Sequence, residues 1–574
     1  MQEQQSFEFN ARPPIKGFPQ LRWTGKRPYR GTVYYPAQLR ERYGTETDGW
    51  INKLFWGDNL QVMSHLLREY RGQVDLIYID PPFDSKADYK KKIKLQGETV
   101  SNDSSSFEEK QYGDIWTNDQ YLQFMYERLT LCRELLSDTG SIYLHCDWHK
   151  SHHLRMLMDE VFGPNSFVNE IVWTYKTGGG SKRWFGRKHD AILFYSKTDN
   201  YTFYPQKEKS YLSHKYGFSN VEILQDEDGR SYTLAGMRDF WEIDALRGNQ
   251  PENLSYPTQK PETLIERIVK ASSKPDDLVF DCFMGSGTTQ AVAMNLGRRF
   301  IGADINLGSI QTTTKRLVSV AENLAEQQNA LDIDDSSTPD TFYTGFEVYN
   351  VNNYDLFRNP VQARDLLIEA LEIQPYEQSN LWDGTLDGRM VKIMPVNRIA
   401  TKADLEEIKA NLPYKSYERR KADNPSQPVE CITLVCMGHE PDLKAALESA
   451  LSEYKVDVAV VDILKDKKEL EFKREAEAEV VLEGNRLVIR SFYPLNLMQK
   501  LSLQREYVED WRQLVESIVI DWNYDGVVME PSVTDIPDKK TLVKGYYEVP
   551  DTAGTIKVKI TDLLSESLEV EVQA

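Results

Sequence analysis

Cysteine is scarce in this chain: five in 574 residues, Cys132, Cys146, Cys282, Cys431 and Cys436. Their irregular spacing gives neither a disulfide framework nor a C-x-x-C metal pair. Long apolar runs are missing as well. No stretch reaches the ~18 residues that read as a membrane-spanning helix, so no membrane span is predicted. Met1-Gln2-Glu3-Gln4-Gln5 lacks the basic-then-apolar layout of a secretory signal. Together these absences predict a reducing, cytoplasmic setting. Positive charge is in deficit too, with 69 Lys+Arg against 89 Asp+Glu and a net charge of −20. That is the wrong sign for a chain whose partner is a polyanion. Nearly all of the excess acid, however, falls after about residue 330, and a local basic groove outweighs whole-chain charge in deciding such binding. What is present is ordinary: 40% hydrophobic and 28% charged residues, in a chain too long for one core, so two or three domains are expected.

One stretch stands out, Leu76-Ile77-Tyr78-Ile79-Asp80-Pro81-Pro82-Phe83. The apolar, β-branched run predicts a buried parallel strand, and two prolines end it because neither can donate to a ladder. Asp80, the carbonyls of the turn and the Phe83 ring are thereby held at the strand's C-terminal edge, where open α/β sheets bind ligands. An acceptor-rich turn beside a ring suits a flat –NH2 group, whose two hydrogens both need acceptors. A plain strand-ending turn is the other reading, and D-P-P alone does not choose between them. The second stretch is Val279-Phe280-Asp281-Cys282-Phe283-Met284-Gly285-Ser286-Gly287-Thr288-Thr289, a strand running into a glycine turn and a helix (Gln290 to Leu296). A third strand, Arg299 to Asp304, closes on an acid placed to accept from a ribose diol. The rival is a dinucleotide site. Its third glycine in G-x-G-x-x-G is absent, since Gln290 stands there, and that suits a cofactor without phosphates.

In this order, the two stretches resemble the β class of S-adenosylmethionine-dependent DNA amino-methyltransferases, where D-P-P-Y/F precedes an F-x-G-x-G cofactor loop. Tyr256-Pro257-Thr258-Gln259-Lys260-Pro261, followed by Leu264, Arg267 and Ile268, resembles the segment just before that loop. Gly57-Asp58-Asn59-Leu60 resembles the short acidic motif upstream of D-P-P. The four matches cover residues of about 50 to 310. Modification subunits of type III restriction systems and methyltransferases of phage-defence islands are closest in flavour. The resemblance implies an α/β fold with a Rossmann-like core of circularly permuted motif order, an inserted target-recognition region and a C-terminal α/β or α+β domain. It implies S-adenosyl-L-methionine as cofactor, with Asp80, Pro81, Pro82 and Phe83 as the catalytic turn. Asp58, Tyr256, Lys260, Asp281, Phe283, Gly285, Gly287, Thr288 and Asp304 would line the cofactor site, with Asp304 on the ribose and Lys260 neutralising the methionine carboxylate. Two positions depart from the family: its usual D-P-F is Asp281-Cys282-Phe283, and its histidine before P-T-Q-K-P is Tyr256.

Along the chain, residues 1 to about 50 read as a basic and aromatic arm, for nucleic acid or as a strap over the domain. The methyltransferase domain is expected over 51–330, with the target-recognition region at about 165–250. There Lys176, Lys182, Arg183, Arg187 and Lys188 flank Gly178-Gly179-Gly180 and suit phosphate contacts. Residues 84–113 are polar, with little hydrophobic pattern, and read as a closing lid or a floppy insert. Half of the eight histidines lie between His145 and His153, beside Cys146. No second ligand cluster follows, so no metal is expected, and the resemblance implies a structural strand–loop–helix here. Residues 331–340 form the expected linker and 341–574 an accessory domain, with a βαβ unit from Cys431 to Leu464. Asp462 with Glu471-Phe472-Lys473 imitates a D…E-x-K nuclease pattern, but also an ordinary half-exposed strand.

The resulting expectation is methyl transfer to adenine N6 in double-stranded DNA, within a restriction–modification or phage-defence system. Adenine is favoured because the turn begins with Asp, where the resembling cytosine-N4 enzymes mostly carry Ser. Cytosine-N4 methylation, a catalytically silent DNA-recognition subunit and an RNA substrate are the alternatives. The type III resemblance implies a homodimer, with restriction or defence subunits as partners.

Overall fold

The computed structural model describes residues 5–10, 17, 19–82, 88–93, 107–113, 118–176, 182–183, 185–211, 222–247, 250, 252–254, 256, 258–330, 339, 341–351, 364, 367–368, 371–376, 381–395, 400–424, 427–440, 442–463, 476–504, 508–537 and 541–574. Its centre is a ten-stranded sheet. In spatial order the strands are Phe240–Glu242, Phe167–Thr174, His189–Ser196, Leu136–Cys146, Val74–Ile79, Leu278–Asp281, Arg299–Asp304, Asn52–Trp56, Phe346–Val351 and Ala37–Tyr43. From Leu136–Cys146 to Phe346–Val351 the neighbours are all parallel.

Both faces of this parallel block are buried, which is why its strands are nearly continuous apolar runs. Side chains alternate between the faces. Ile77, Ile79, Leu278 and Phe280 pack with helices Asn59–Tyr70, Asn118–Leu135 and Ser151–Phe162. Leu76, Tyr78, Val279 and Phe300 pack with helices Glu262–Ser272, Thr288–Asn295 and Leu307–Ala330. Asp58 caps the first of these helices, accepting from Leu60 N at 2.9 Å, a contact worth ~1 kcal/mol. The chain leaves Val74–Ile79 toward Leu136–Cys146 and leaves Leu278–Asp281 toward Arg299–Asp304, on the other side. Between those two strands the winding direction reverses, and open α/β sheets place their ligand crevice at such a point. The doubly wound α/β core expected from the sequence is therefore present.

The sheet crosses the boundaries predicted from composition. Ala37–Tyr43, from the arm, and Phe346–Val351, from beyond the linker, pair with one another and extend the core. Phe167–Thr174 and His189–Ser196, from the target-recognition stretch, add to it at the other side, and Lys207–Tyr211, Leu224–Gln225 and Ser231–Gly236 form a small sheet of their own. Edge strands carry charged residues to keep sheets from aggregating, and Ala37–Tyr43, with Arg40, Glu41 and Arg42, therefore resembles an arm in composition. The rest of the arm is a strap: Trp23 Nε1 donates to Gln123 at 3.2 Å, and Lys26 and Arg27 pair with Glu160 and Glu127. Within the polar stretch 84–113, the described segments Asp88–Ile93 and Phe107–Gly113 pair antiparallel.

After the core, Arg389–Ile393, Glu430–Cys436 and Val456–Asp462 form a parallel set with helix Leu443–Ala450, as the βαβ reading predicts. The antiparallel strands Val515–Asp521, Thr555–Asp562 and Ser567–Gln573 follow. This last unit docks on the core through a Lys559–Glu41 ion pair, two backbone bonds between Met529 and residues 40 and 42, and Gln311 donating to Ser567 at 2.9 Å. Glu471-Phe472-Lys473 lies outside the described residues. Among the described residues no helix is long and apolar enough to cross a membrane.

Candidate active site

An open cleft of about 690 Å³ lies at the C-terminal ends of the two strands where the winding reverses. Tyr78, Asp80, Pro81 and Pro82 line it from one strand, and Asp281, Phe283, Met284, Gly285, Ser286, Thr288 and Thr289 from the other. Tyr256, Thr258, Gln259 and Lys260 complete the wall. Nine residues expected from the sequence, Asp80, Pro81, Pro82, Tyr256, Lys260, Asp281, Phe283, Gly285 and Thr288, are thus brought together around one space. Phe83 and Pro257 lie outside the described residues.

Asp80 is the least satisfied group in the cleft. One carboxylate oxygen, Oδ2, is ion-paired with Lys260 Nζ, which also donates to the Thr258 carbonyl at 3.3 Å. The other, Oδ1, is buried and has no hydrogen-bond partner among the described residues. A buried acceptor without a donor costs roughly 1–3 kcal/mol, and at a ligand crevice that cost is relieved when a donor arrives. Lys260 thus holds one half of the carboxylate and leaves the other open. The position expected to meet the methionine carboxylate spends its ammonium on Asp80.

Asp281 is in the opposite state. Its oxygens accept from Phe283 N at 2.9 Å and from Thr289 Oγ1 at 2.7 Å. Burial pushes its carboxyl up to about 7, and the nearby Asp80 and Asp304 carboxylates push the same way, against those two hydrogen bonds.

The glycine turn is shaped by crowding. Gly285 and Gly287 have φ of +52° and +72°, the left-handed region. A Cβ at Gly287 would stand 2.5 Å from Thr313 Cγ2, while at Gly285 it would press on the Tyr256 ring at 3.4 Å. The third glycine of the dinucleotide pattern is replaced by buried Gln290. Its room comes from the facing strand, where a Cβ at Gly302 would meet Gln290 Nε2 at 2.8 Å.

Three expected cofactor residues stand outside the cleft lining. Asp304 accepts from Gly285 N at 3.0 Å and Asn306 N at 2.8 Å, so it braces the glycine turn where a ribose contact was expected. Asp58 pairs with Arg128 at 3.0 Å while capping its helix. Neighbouring Asn59 donates to the Cys282 carbonyl at 3.0 Å and so holds the turn from the opposite face of the sheet. Gly287 acts through sterics.

Some contributors were missed. Arg316 donates to the Ser286 carbonyl and to Thr288 Oγ1, and pairs with Glu262 at 2.6 Å, tying the glycine turn to the helix after Lys260. It sits on a long helix, and nothing in the local sequence marks it. Tyr78 could have been found, because the two-residue period of a strand puts it on the same face as Asp80.

The expected DNA-facing cations lie on the hairpin between Phe167–Thr174 and His189–Ser196. The pairing directions bring its root to the same sheet edge as Asp80. Lys176, Lys182, Arg183 and Arg187 are exposed and Lys188 is half-buried. Arg187 stacks on the Trp148 ring, 3.6 Å from its centroid. Of the histidine cluster, His145 is buried against Tyr78 and Asp190, and His149 pairs with Asp147. Among the described residues no group of three or more potential ligands is arranged to hold a metal.

Known proteins share sequence with the part of the chain that carries this cleft. Residues 74–315 match the DNA methylase family of N6/N4 type. The type II methyltransferase M1.MboII of Moraxella bovis is 31% identical over 252 residues, covering 41% of this chain and 85% of that protein. The DNA adenine methyltransferase YhdJ of Escherichia coli (strain K12) is 28% identical over 290 residues, covering 50% and 88%. Among solved structures, the M1.HpyAVI–SAM complex is 20% identical, covers 46% of this chain and 98% of that one, and has a TM-score of 0.30. The cytosine-N4-specific PvuII DNA methyltransferase is 17% identical, covers 51% and 98%, and has a TM-score of 0.32. The chain belongs to the S-adenosylmethionine-dependent DNA amino-methyltransferase family.

Proposed function

We propose that this chain methylates the N6 amino group of adenine in double-stranded DNA, with Asp80 as the residue that orients the reacting nitrogen. One observation carries the reading: Asp80 Oδ1 is a buried acceptor without a donor among the described residues, at the switch point of the sheet, with its partner oxygen already taken by Lys260. An exocyclic amino group is a poor nucleophile because its lone pair is delocalised into the ring. Drawn onto Asp80 Oδ1 and a carbonyl of the Asp80-Pro81-Pro82 turn, its two hydrogens let the nitrogen pyramidalise and free that lone pair. Acceptors fixed before the reaction act without reorganising as charge builds on nitrogen. The prolines and Lys260 provide that fixity, and a base drawn out of the duplex is what such a pocket takes.

The residues suit S-adenosyl-L-methionine as cofactor. The left-handed glycine turn admits close backbone approach, and Gln290 in place of a third glycine matches a group without phosphates. Tyr256, Asp281, Phe283, Gly285 and Thr288 would form its walls, with Gly287, Asp58 and Asp304 shaping the turn from behind. When bound, it supplies a methyl group activated by a sulfonium. Lys176, Lys182, Arg183, Arg187 and Lys188 would meet DNA phosphates beside the cleft.

Adenine is favoured by the Asp at the head of the turn and by the similarity to YhdJ, named as an adenine methyltransferase. The type II methyltransferases among the relatives support a restriction–modification setting. Modification-sensitive sequencing of DNA from cells expressing this chain, beside an Asp80→Ala version, tests the reading. N6-methyladenine at a defined motif, lost in the variant, is the expected result. N4-methylcytosine would overturn the choice of base, and a mark that persists in Asp80→Ala would overturn the role of Asp80.

A further inference from the structure

Beneath the cleft lies a buried polar chain that the proposed chemistry does not use. Tyr78 OH meets His145 Nδ1 at 2.8 Å, His145 Nε2 meets Asp190 Oδ2 at 3.2 Å, and Tyr175 OH donates to Asp190 Oδ1 at 3.2 Å. The first member lines the cleft. The last two stand at the root of the basic hairpin, where Tyr175 N also donates to the Lys188 carbonyl at 3.1 Å. His145 is completely buried and Tyr78 is 2% exposed. The Trp173 ring stands edge-on to the imidazole at 5.4 Å.

The chain has a defined direction. Burial raises the Asp190 carboxyl, but the hydrogen bonds from His145 and Tyr175 and the charge of nearby Lys260 outweigh it and hold the group below its ordinary value. As a carboxylate it only accepts, so the imidazole turns an Nε2–H toward it, and in that tautomer Nδ1 is the acceptor. Burial, with Asp80, Asp281 and Asp190 nearby, pushes the Tyr78 phenol well up. It keeps its proton and donates it to Nδ1. Every link is satisfied, and satisfied buried networks favour one arrangement over its neighbours. Apolar side chains would fill this space without needing any such match.

We propose that His145 and Asp190 are positioning residues for methyl transfer, a buried linkage that fixes Tyr78, and with it the strand end carrying Asp80, to the root of the basic hairpin. DNA seated on the hairpin then bears directly on the geometry of the catalytic carboxylate two residues beyond Tyr78. The inference rests on the reading of Asp80 as the orienting residue and of the hairpin as a DNA contact.

Steady-state methylation of unmodified genomic DNA tests it in the full chain, with Tyr78→Phe, Asp190→Asn and the double variant. Each single variant is expected to lower kcat about tenfold while KM for DNA and cofactor stays within about twofold, and the double variant to lose no more than either one. A merely structural role would show in melting temperature and leave kcat of the folded fraction unchanged. The linkage to DNA is read from Lys182→Ala/Arg183→Ala. In the wild-type background this pair lowers kcat as well as raising KM, whereas in the Asp190→Asn background it changes KM alone. Full kcat in Asp190→Asn, or losses that multiply in the double variant, would overturn the linkage while leaving the Asp80 reading intact. An active Asp80→Ala protein would overturn both.

Discussion

The strands ending at Asp80 and Asp281 lie side by side, yet their carboxylates live in opposite circumstances. Asp281 has a donor on each oxygen, is buried, and is pushed toward neutrality by that burial. Asp80 has a cation on one oxygen and, among the described residues, no donor on the other. The first arrangement builds a rigid turn, and the second leaves an acceptor open to an incoming donor. Local sequence explains the difference. After Asp281 the backbone offers N–H groups and a helix N-terminus, whereas after Asp80 two prolines remove the donors that would have satisfied it.

Substitutions at the two ends should therefore fail differently. Asp80→Ala is expected to lower kcat about a thousandfold, the scale of losing a preorganised electrostatic contact, with cofactor binding by calorimetry nearly unchanged. Equal loss of binding and turnover would place Asp80 in the cofactor site and erase the contrast. For Asp281 the expected signature is pH-dependent stability. A carboxyl raised from 3.8 to about 7 on folding holds a proton that the unfolded chain gives up. Folding is therefore progressively destabilised as pH rises through that window, by about 4 kcal/mol from linkage. Asp281→Asn should flatten this dependence, and urea unfolding of both proteins at several pH values between 4 and 8 would show whether the difference curve has that sign. Gly287→Ala should cost about 2–3 kcal/mol, from left-handed backbone strain and the clash with Thr313. A melting temperature equal to wild type would mean that the turn can relax. Smallest is Asp58→Ala, expected to cost ~1 kcal/mol through the lost cap. A much larger loss would show that the Arg128 pair contributes beyond it.

Much of the core was legible because it depends on short-range pattern. Apolar runs broken by Pro81-Pro82 or by Gly285 and Gly287 announce strands with ligand-facing ends, and they led to Asp80, Asp281 and the glycine turn. What local pattern could not supply are the partners that lie far away in sequence. Asp304 was expected on a ribose from its position at a strand end, and the structure adds the bonds its oxygens accept from Gly285 N and Asn306 N. Lys260 was assigned to a carboxylate, and the carboxylate it meets is Asp80, 180 residues away. Composition placed boundaries near residues 50 and 330, and hydrogen bonding placed strands from beyond both in one sheet, because a charged edge strand and a loop look alike in composition.

By itself, the sequence determined the doubly wound core, the order of its two ligand-facing turns and the residue types at each, since periodicity, proline and glycine act within a few residues of where they stand. Only the tertiary structure decided which acceptor stays open, which cation holds Asp80, and how Tyr78, His145 and Asp190 join three strands into one buried chain. Hydrogen-bond satisfaction is a property of neighbours in space, and here those neighbours come from parts of the chain that no local pattern connects.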